Sequence, residues 1–112
     1  MFSHLSRLRK ERDIMRVYQK GRGASDAYMS IKILPNQLGR SRTAVVVSKK
    51  VDKRAVVRNK NRRRIQAILR GTGETYLAGC DIVVTVRCDM TQLSHPQLEA
   101  NTRQLLTKLA NK

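Results

Sequence analysis

Residues 54–70, "RAVVRNKNRRRIQAILR", carry seven cationic side chains in seventeen positions and no acid. The stretch lies between Asp52, a residue type that caps helix N-termini, and Gly71, a type that stops helices. It therefore reads as a helix of about five turns. At about 100° per residue, Arg58, Arg62, Gln66, Asn59, Arg70 and Arg63 fall within one arc of about 140°, and Val57, Ile65 and Ile68 fall opposite. The apolar side is expected to dock on a sheet. The polar arc is then a ridge of guanidinium groups, whose planar forks suit phosphate oxygens and base stacking. Solvated helix faces usually mix signs, and this one does not. Asn61 and Arg64 fall on the inward side, where aliphatics are expected. Packing is expected to be looser there, and Asn61→Ile or Arg64→Leu to stabilise the chain.

Immediately upstream, residues 42–51, "RTAVVVSKKV", form a β-branched run whose Ala44–Val47 centre reads as buried on both faces. Downstream, Gly71, Gly73 and Gly79 flag a connection, and residues 81–87, "DIVVTVR", form a further strand. Residues 28–34, "YMSIKIL", alternate, with Met29, Ile31 and Ile33 on one side and Tyr28, Ser30 and Lys32 on the other, the pattern of a half-buried strand. Pro35, Asn36 and Gly39 mark the loop after it. Residues Leu8 to Lys20 place Ile14, Val17 and Tyr18 at i, i+3, i+4 ahead of Gly21, which predicts a short helix with a glycine stop. Residues 94–112 predict a closing helix capped by Ser94, with Leu98, Leu105, Leu106 and Leu109 as its apolar stripe. The order α-β-β-α-β-α predicts an α+β fold, a two-layer α-β sandwich with helices packed on one mixed sheet. At 112 residues it is expected to be a single domain, 1–112.

The formal charge is +16, with a pI near 11.1. Residues 1–70 hold 20 Lys and Arg against Glu11, Asp13, Asp26 and Asp52, whereas residues 71–112 hold four of each sign. The whole excess therefore sits in the part that contains the ridge, which favours nucleic acid over a membrane surface or an acidic protein as partner. No apolar run approaches the roughly 20 residues needed to cross a bilayer, and the N-terminus has no apolar signal core. Glu11 and Asp13 count against a transit peptide, so the expected location is the cytoplasm. Cys80 and Cys88 bracket a strand whose eight extended residues span about 26 Å, beyond disulfide reach. With His4 and His95 distant in sequence there is no zinc spacing either, so both are expected to be reduced thiols.

Residues 47–64, "VSKKVDKRAVVRNKNRRR", resemble the signature of the protein subunit of bacterial ribonuclease P: Ser-Lys-Lys, a short gap, Ala-Val, then Arg-Asn followed by Lys/Arg-Arg and a further Arg. The resemblance extends over nearly the whole chain, through the "RLRK" helix ending near a glycine, the "AGCDIVVTVR" strand and the Leu-rich last helix. It implies a left-handed β-α-β crossover, against the usual right-handed preference. It also implies that a large RNA subunit, using magnesium held through the RNA, hydrolyses precursor tRNA to release the 5′ leader. The protein then has no catalytic or metal-binding residue, no cofactor of its own and no small-molecule substrate. Family roles carried onto matching positions put Lys49, Lys50, Lys53, Arg58, Asn59, Arg62, Arg63 and Arg70 against the catalytic RNA. Ile14, Tyr18, Ser30 and Lys32 fall in a cleft of the first helix and the sheet that takes the single-stranded leader. Gln66 replaces the expected third Arg, and Ile14 stands where an aromatic is usual.

Two other classes compete with this reading. A protein nuclease needs convergent carboxylates or histidines, and Asp81, Asp89, Glu74, Glu99, His4 and His95 show no motif spacing. A basic ribosomal or other structural RNA-binding protein shares the composition and the basic helix. Only the Arg-Asn signature in its fold context separates it from a ribonuclease P subunit.

Overall fold

The structure is a computed structural model that describes residues 6–8, 10–37, 41–77 and 79–110, with the backbone alone for residues 6, 7 and 71–77. Its elements in chain order are β1 (Ser6–Arg7), α1 (Glu11–Lys20), β2 (Arg22–Ser25), β3 (Met29–Pro35), β4 (Arg42–Val46), α2 (Ala55–Leu77), β5 (Cys80–Val86) and α3 (His95–Ala110). The β-branched run of β5 takes the centre of a mixed sheet of order β1-β4-β5-β3-β2. It runs parallel to β4 and antiparallel to β3, so α2 is the crossover between adjacent parallel strands.

The period of two sorts the sheet residues into two layers. Met29, Ile31, Ile33, Val45, Val47, Ile82, Val84 and Val86 face α2 and α3 and join Ile65, Ile68, Leu69, Leu98, Leu105, Leu106 and Leu109 in the main core. On the opposite face Val83 meets Leu8 and Val17, with Ile14, Tyr18, Leu34, Ala44 and Val46 around them, so α1 covers part of that face. The α+β sandwich thus carries a partial third layer. Covered from both sides, β5 is the strand buried on both faces: Asp81 to Val84 are all buried. β4, expected to be so, instead alternates between buried and half-buried, because α1 reaches over it only at its edge.

Element ends depart from expectation in three places. α2 does not stop at Gly71; its backbone continues helical through Gly71 and Gly73 to Leu77, and the turn comes at Gly79, whose φ of 74° is the left-handed region that favours glycine. Asp52 is not its N-cap either. α2 begins at Ala55, and the Asp52 carboxylate accepts from the backbone N–H and guanidinium of Arg54, which orders the turn one step before the helix. α1 starts at Glu11 rather than Leu8; Leu8 is pinned by its N–H to Thr43 O as an extension of β1. Gly21 does end α1, and the reason is room: a Cβ there would stand 2.5 Å from the carbonyl oxygens of both Val17 and Ile33. Ser94 caps α3 as expected, its Oγ accepting from Gln97 N–H while Gln97 Oε1 accepts from Ser94 N–H. The strands β1 and β2 have no counterpart among the expected elements. Gly39 lies outside the described residues.

Candidate nucleic-acid interface

The core side of α2 decides what its other side shows. Ile65, Ile68 and Leu69 are buried against the sheet and α3. Asn59, Arg63 and Arg70 are consequently exposed, and Arg58, Arg62 and Gln66 half-exposed, which is the arc that the helical wheel predicts. Lys49, Lys50 and Lys53 are exposed in the turn that leads into α2, a turn closed by Val51 N–H donating to Ser48 O. Turn and helix form one cationic surface. The carboxylate of the turn, Asp52, is taken up by Arg54, whose side-chain and backbone hydrogen bonds lower the Asp52 pKa to about 2. Arg58 is partly committed to the chain itself, since its Nη1 donates to the carbonyls of Asp52 and Lys53.

The inward polar residues of α2 are not loosely packed, and the expectation that apolar replacements stabilise is overturned for Asn61. Asn61 is buried, its Nδ2 donates to Val57 O and to Asp89 Oδ1, and its Oδ1 accepts from Met90 N–H. Arg64 donates to the carbonyls of Met90 and Leu93. Together they hold the β5–α3 connection against α2, satisfying backbone groups that no strand or helix pairs. Asp89, which also accepts from Thr91, has its pKa lowered by the Thr91 backbone N–H and by Asn61.

A second surface lies beside α1. The sheet register lines up Ser25, Ser30 and Thr85 across β2, β3 and β5, and next to them Gly23 and Lys32. Ile14 and Tyr18 are half-buried against the Leu8–Val17–Val83 cluster. Tyr18 Oη and Thr85 Oγ1 are 2.8 Å apart, and Lys32 Nζ donates to Tyr18 O at 3.0 Å. A Cβ on Gly23 would stand 3.0 Å from Lys32 Cγ, so the glycine is what lets the lysine stem lie flat towards α1. An ammonium at the last turn of a helix meets its negative dipole end, and two further N–H donors are left to it. Hydrogen bonds and sheet register thus bring Tyr18, Lys32, Ser30 and Thr85 together beside α1, and Ile14 stands one helical turn before Tyr18 on the same apolar cluster. Thr85 belongs with them and was missed, because nothing in a lone strand names its cross-sheet neighbour.

Arg42 has a different job from the other cations. Its Nε and Nη2 clasp Asp81 at 2.8 and 2.6 Å, its Nη1 reaches Asp13 at 3.5 Å, and Asn36 Nδ2 donates to Asp81 as well. The hydrogen bond to Asp81 raises the Arg42 pKa, and the bridges from Arg42 to Asp13 and Asp81 tie α1 to β4 and β5. Asp81, a candidate catalytic acid by residue type, is therefore a structural anchor. Cys80 and Cys88 form no disulfide among the described residues, and burial raises the Cys80 pKa. Among the described residues no three or more His, Cys, Asp and Glu gather as a metal site, and no helix is long and apolar enough to cross a membrane. His4 lies outside the described residues, as does the side chain of Glu74.

Fold and surface define a small basic α+β protein that presents one cationic helix and the turn before it. The sequence model of the Ribonuclease P family matches residues 2–110. The chain is 36% identical over 109 residues to the ribonuclease P protein component of a Pseudanabaena species, covering 96% of this chain and 94% of that one. It is likewise 36% identical over 101 residues to that of Pelotomaculum thermopropionicum, covering 90% and 89%. Among solved structures, the RNase P protein of Thermotoga maritima superposes with a TM-score of 0.82 at 26% identity, over 92% of this chain and 96% of that one. That of Staphylococcus aureus gives 0.80 at 25%, over 92% and 94%. The chain belongs to the ribonuclease P protein family. Its role is that of the protein component of ribonuclease P, and its place is in tRNA processing.

Proposed function

We propose that this chain, acting over residues 1–112 as one RNA-binding unit, binds the catalytic RNA through α2 and its leading turn and holds the 5′ leader of precursor tRNA in the groove beside α1. The hydrolysis is carried by the RNA, with magnesium held through the RNA, in the cytoplasm. The observation that supports this best is the concentration of cations on one face: Lys49, Lys50, Lys53, Arg62, Arg63 and Arg70, with Asn59 among them, form a surface on which the acid of the leading turn, Asp52, is already paired with Arg54. Such a face neutralises phosphates and releases their counterions. The groove supplies what a single strand needs, an aromatic ring at Tyr18, hydroxyls at Ser30 and Thr85 and an ammonium at Lys32.

Reconstitution tests the reading. Protein freed of RNA is expected to leave precursor tRNA intact, and protein combined with a bacterial ribonuclease P RNA to restore accurate leader removal at magnesium levels where that RNA alone is slow. Leader release by the RNA-free protein, or no gain over the RNA alone, overturns it.

A further inference from the structure

Val56 is 76% exposed, beside Met15 one of two large apolar side chains left in solvent among the described residues. It belongs to no core cluster. It stands in the first turn of α2, and Val56, Asn59, Arg63 and Gln66 follow at i, i+3, i+7 and i+10, so they share one strip of the helix. With Arg62 they enclose an open depression of about 330 Å³. That is the low end of the range of roughly 300–1,000 Å³ for small-ligand sites.

The chemistry of the lining says what fits. Phosphate would be met by the two guanidinium groups and the amide N–H donors, but it has no use for an isopropyl wall or for the Gln66 amide oxygen. A nucleobase uses all of them: a flat face for Val56 and the guanidinium planes, and a polar edge for the amides. Arg62 donates to Asn59 Oδ1, which leaves the Asn59 NH2 as a free donor at the rim. Gln66 has no partner among the described residues and offers a donor beside an acceptor. That pair matches a base edge with an exocyclic amine next to a ring nitrogen, such as adenine N6 and N1, by the same donor–acceptor pairing that Asn and Gln make to adenine N6 and N7 in the DNA major groove. We propose that this depression seats one unpaired base of the RNA partner, with Val56 against its face and Gln66 and Asn59 on its Watson–Crick edge, adenine being the best match because a purine offers the larger face. This rests on the proposed docking of α2 on RNA and adds to it a base-reading role for Val56 and Gln66, two positions outside the cationic set.

Dimethyl sulfate, which methylates adenine N1 and cytosine N3, tests it on the complex of the full-length protein with ribonuclease P RNA. The wild type is expected to protect one unpaired adenine that becomes reactive again with Val56→Ala and with Gln66→Ala at protein concentrations that saturate binding. Each variant is expected to bind about tenfold more weakly with an unchanged salt dependence, since neither side chain neutralises a phosphate. If both variants form the complex and no base changes reactivity, the base seat is wrong while the docking of α2 stands. If the wild type forms no complex, both readings fall together.

Discussion

Asn61 shows how one buried amide changes the sign of a mutational expectation. Placed inward on a helix, it invites replacement by an aliphatic, yet its two polar atoms serve Val57 O, Asp89 Oδ1 and Met90 N–H. Asn61→Ile would leave the Met90 N–H buried without a partner, at a cost of about 1–3 kcal/mol that added apolar contact does not recover. Its melting temperature is expected to fall; a rise in thermal unfolding measurements would contradict this. Tyr18 poses a residue-scale question of the same kind, since its ring leans on the α1 cluster while its hydroxyl reaches Thr85. On the leader-groove reading, Tyr18→Ala should weaken holoenzyme binding of precursor tRNA by about 1–3 kcal/mol, the worth of one stacked base, and leave mature tRNA binding unchanged. Tyr18→Phe keeps the ring and is expected to retain most of the affinity. Equal losses for precursor and mature tRNA in Tyr18→Ala would assign the ring to the core alone.

At the scale of the element, α2 divides its labour by face, and its cations divide further by what already holds them. Arg58 is bonded to the turn through Asp52 O and Lys53 O, so replacing it disturbs the helix start as well as any RNA contact. Arg62 and Arg63 have no backbone duty of this kind among the described residues. The double variant Arg62→Ala, Arg63→Ala should therefore keep the fold, shown by an unchanged circular dichroism spectrum. RNA affinity should become less salt-dependent, by about one unit of slope for each phosphate no longer neutralised. A slope equal to that of the wild type would remove both from the interface. The turn before α2 carries a pH dependence of definite sign. The Asp52 pKa is lowered from 3.8 to about 2 by Arg54, so the stabilisation is fully present above pH 3.8 and disappears as pH falls through about 2. Arg54→Ala is expected to move the Asp52 carboxyl back towards 3.8 in an NMR titration. No movement would mean that the backbone N–H of residue 54 holds it alone.

For the whole molecule, charge is the controlling quantity. On the proposed reading, a protein of +16 set between an RNA catalyst and an RNA substrate would lower their mutual repulsion and substitute for part of the divalent ions. The reconstituted particle is expected to reach half-maximal cleavage at a lower magnesium concentration than the RNA alone, with the gap closing as monovalent salt is raised. A magnesium requirement indifferent to the protein would sink this account. The neutral half of the sequence contributes differently, through the strand and helix that complete the core. On α3 the one acid, Glu99, is paired with Arg103 at 2.7 Å, and Lys108 leaves that helix a small positive excess.

Much of this arrangement is legible one residue at a time, because it depends on period and type alone. The alternation of Met29, Ile31 and Ile33, the stripe Leu98, Leu105, Leu106 and Leu109, and the one-signed arc of α2 each name their buried or exposed side before any partner is known. The Arg-Asn signature likewise points to the family. What the chain could not announce is whatever needs a second element. Gly71 and Gly73 are breakers by propensity, at about 1 kcal/mol each, yet the backbone of α2 runs helical through both. Two-sided burial falls to β5 rather than β4 because strand order puts β5 in the middle. Asn61, Thr85 and Arg42 acquire their roles only from neighbours 29, 67 and 39 positions away. Local pattern is written in the spacing of side chains along one segment, whereas hydrogen-bond partners and grooves exist only after segments distant in the chain have been brought into contact.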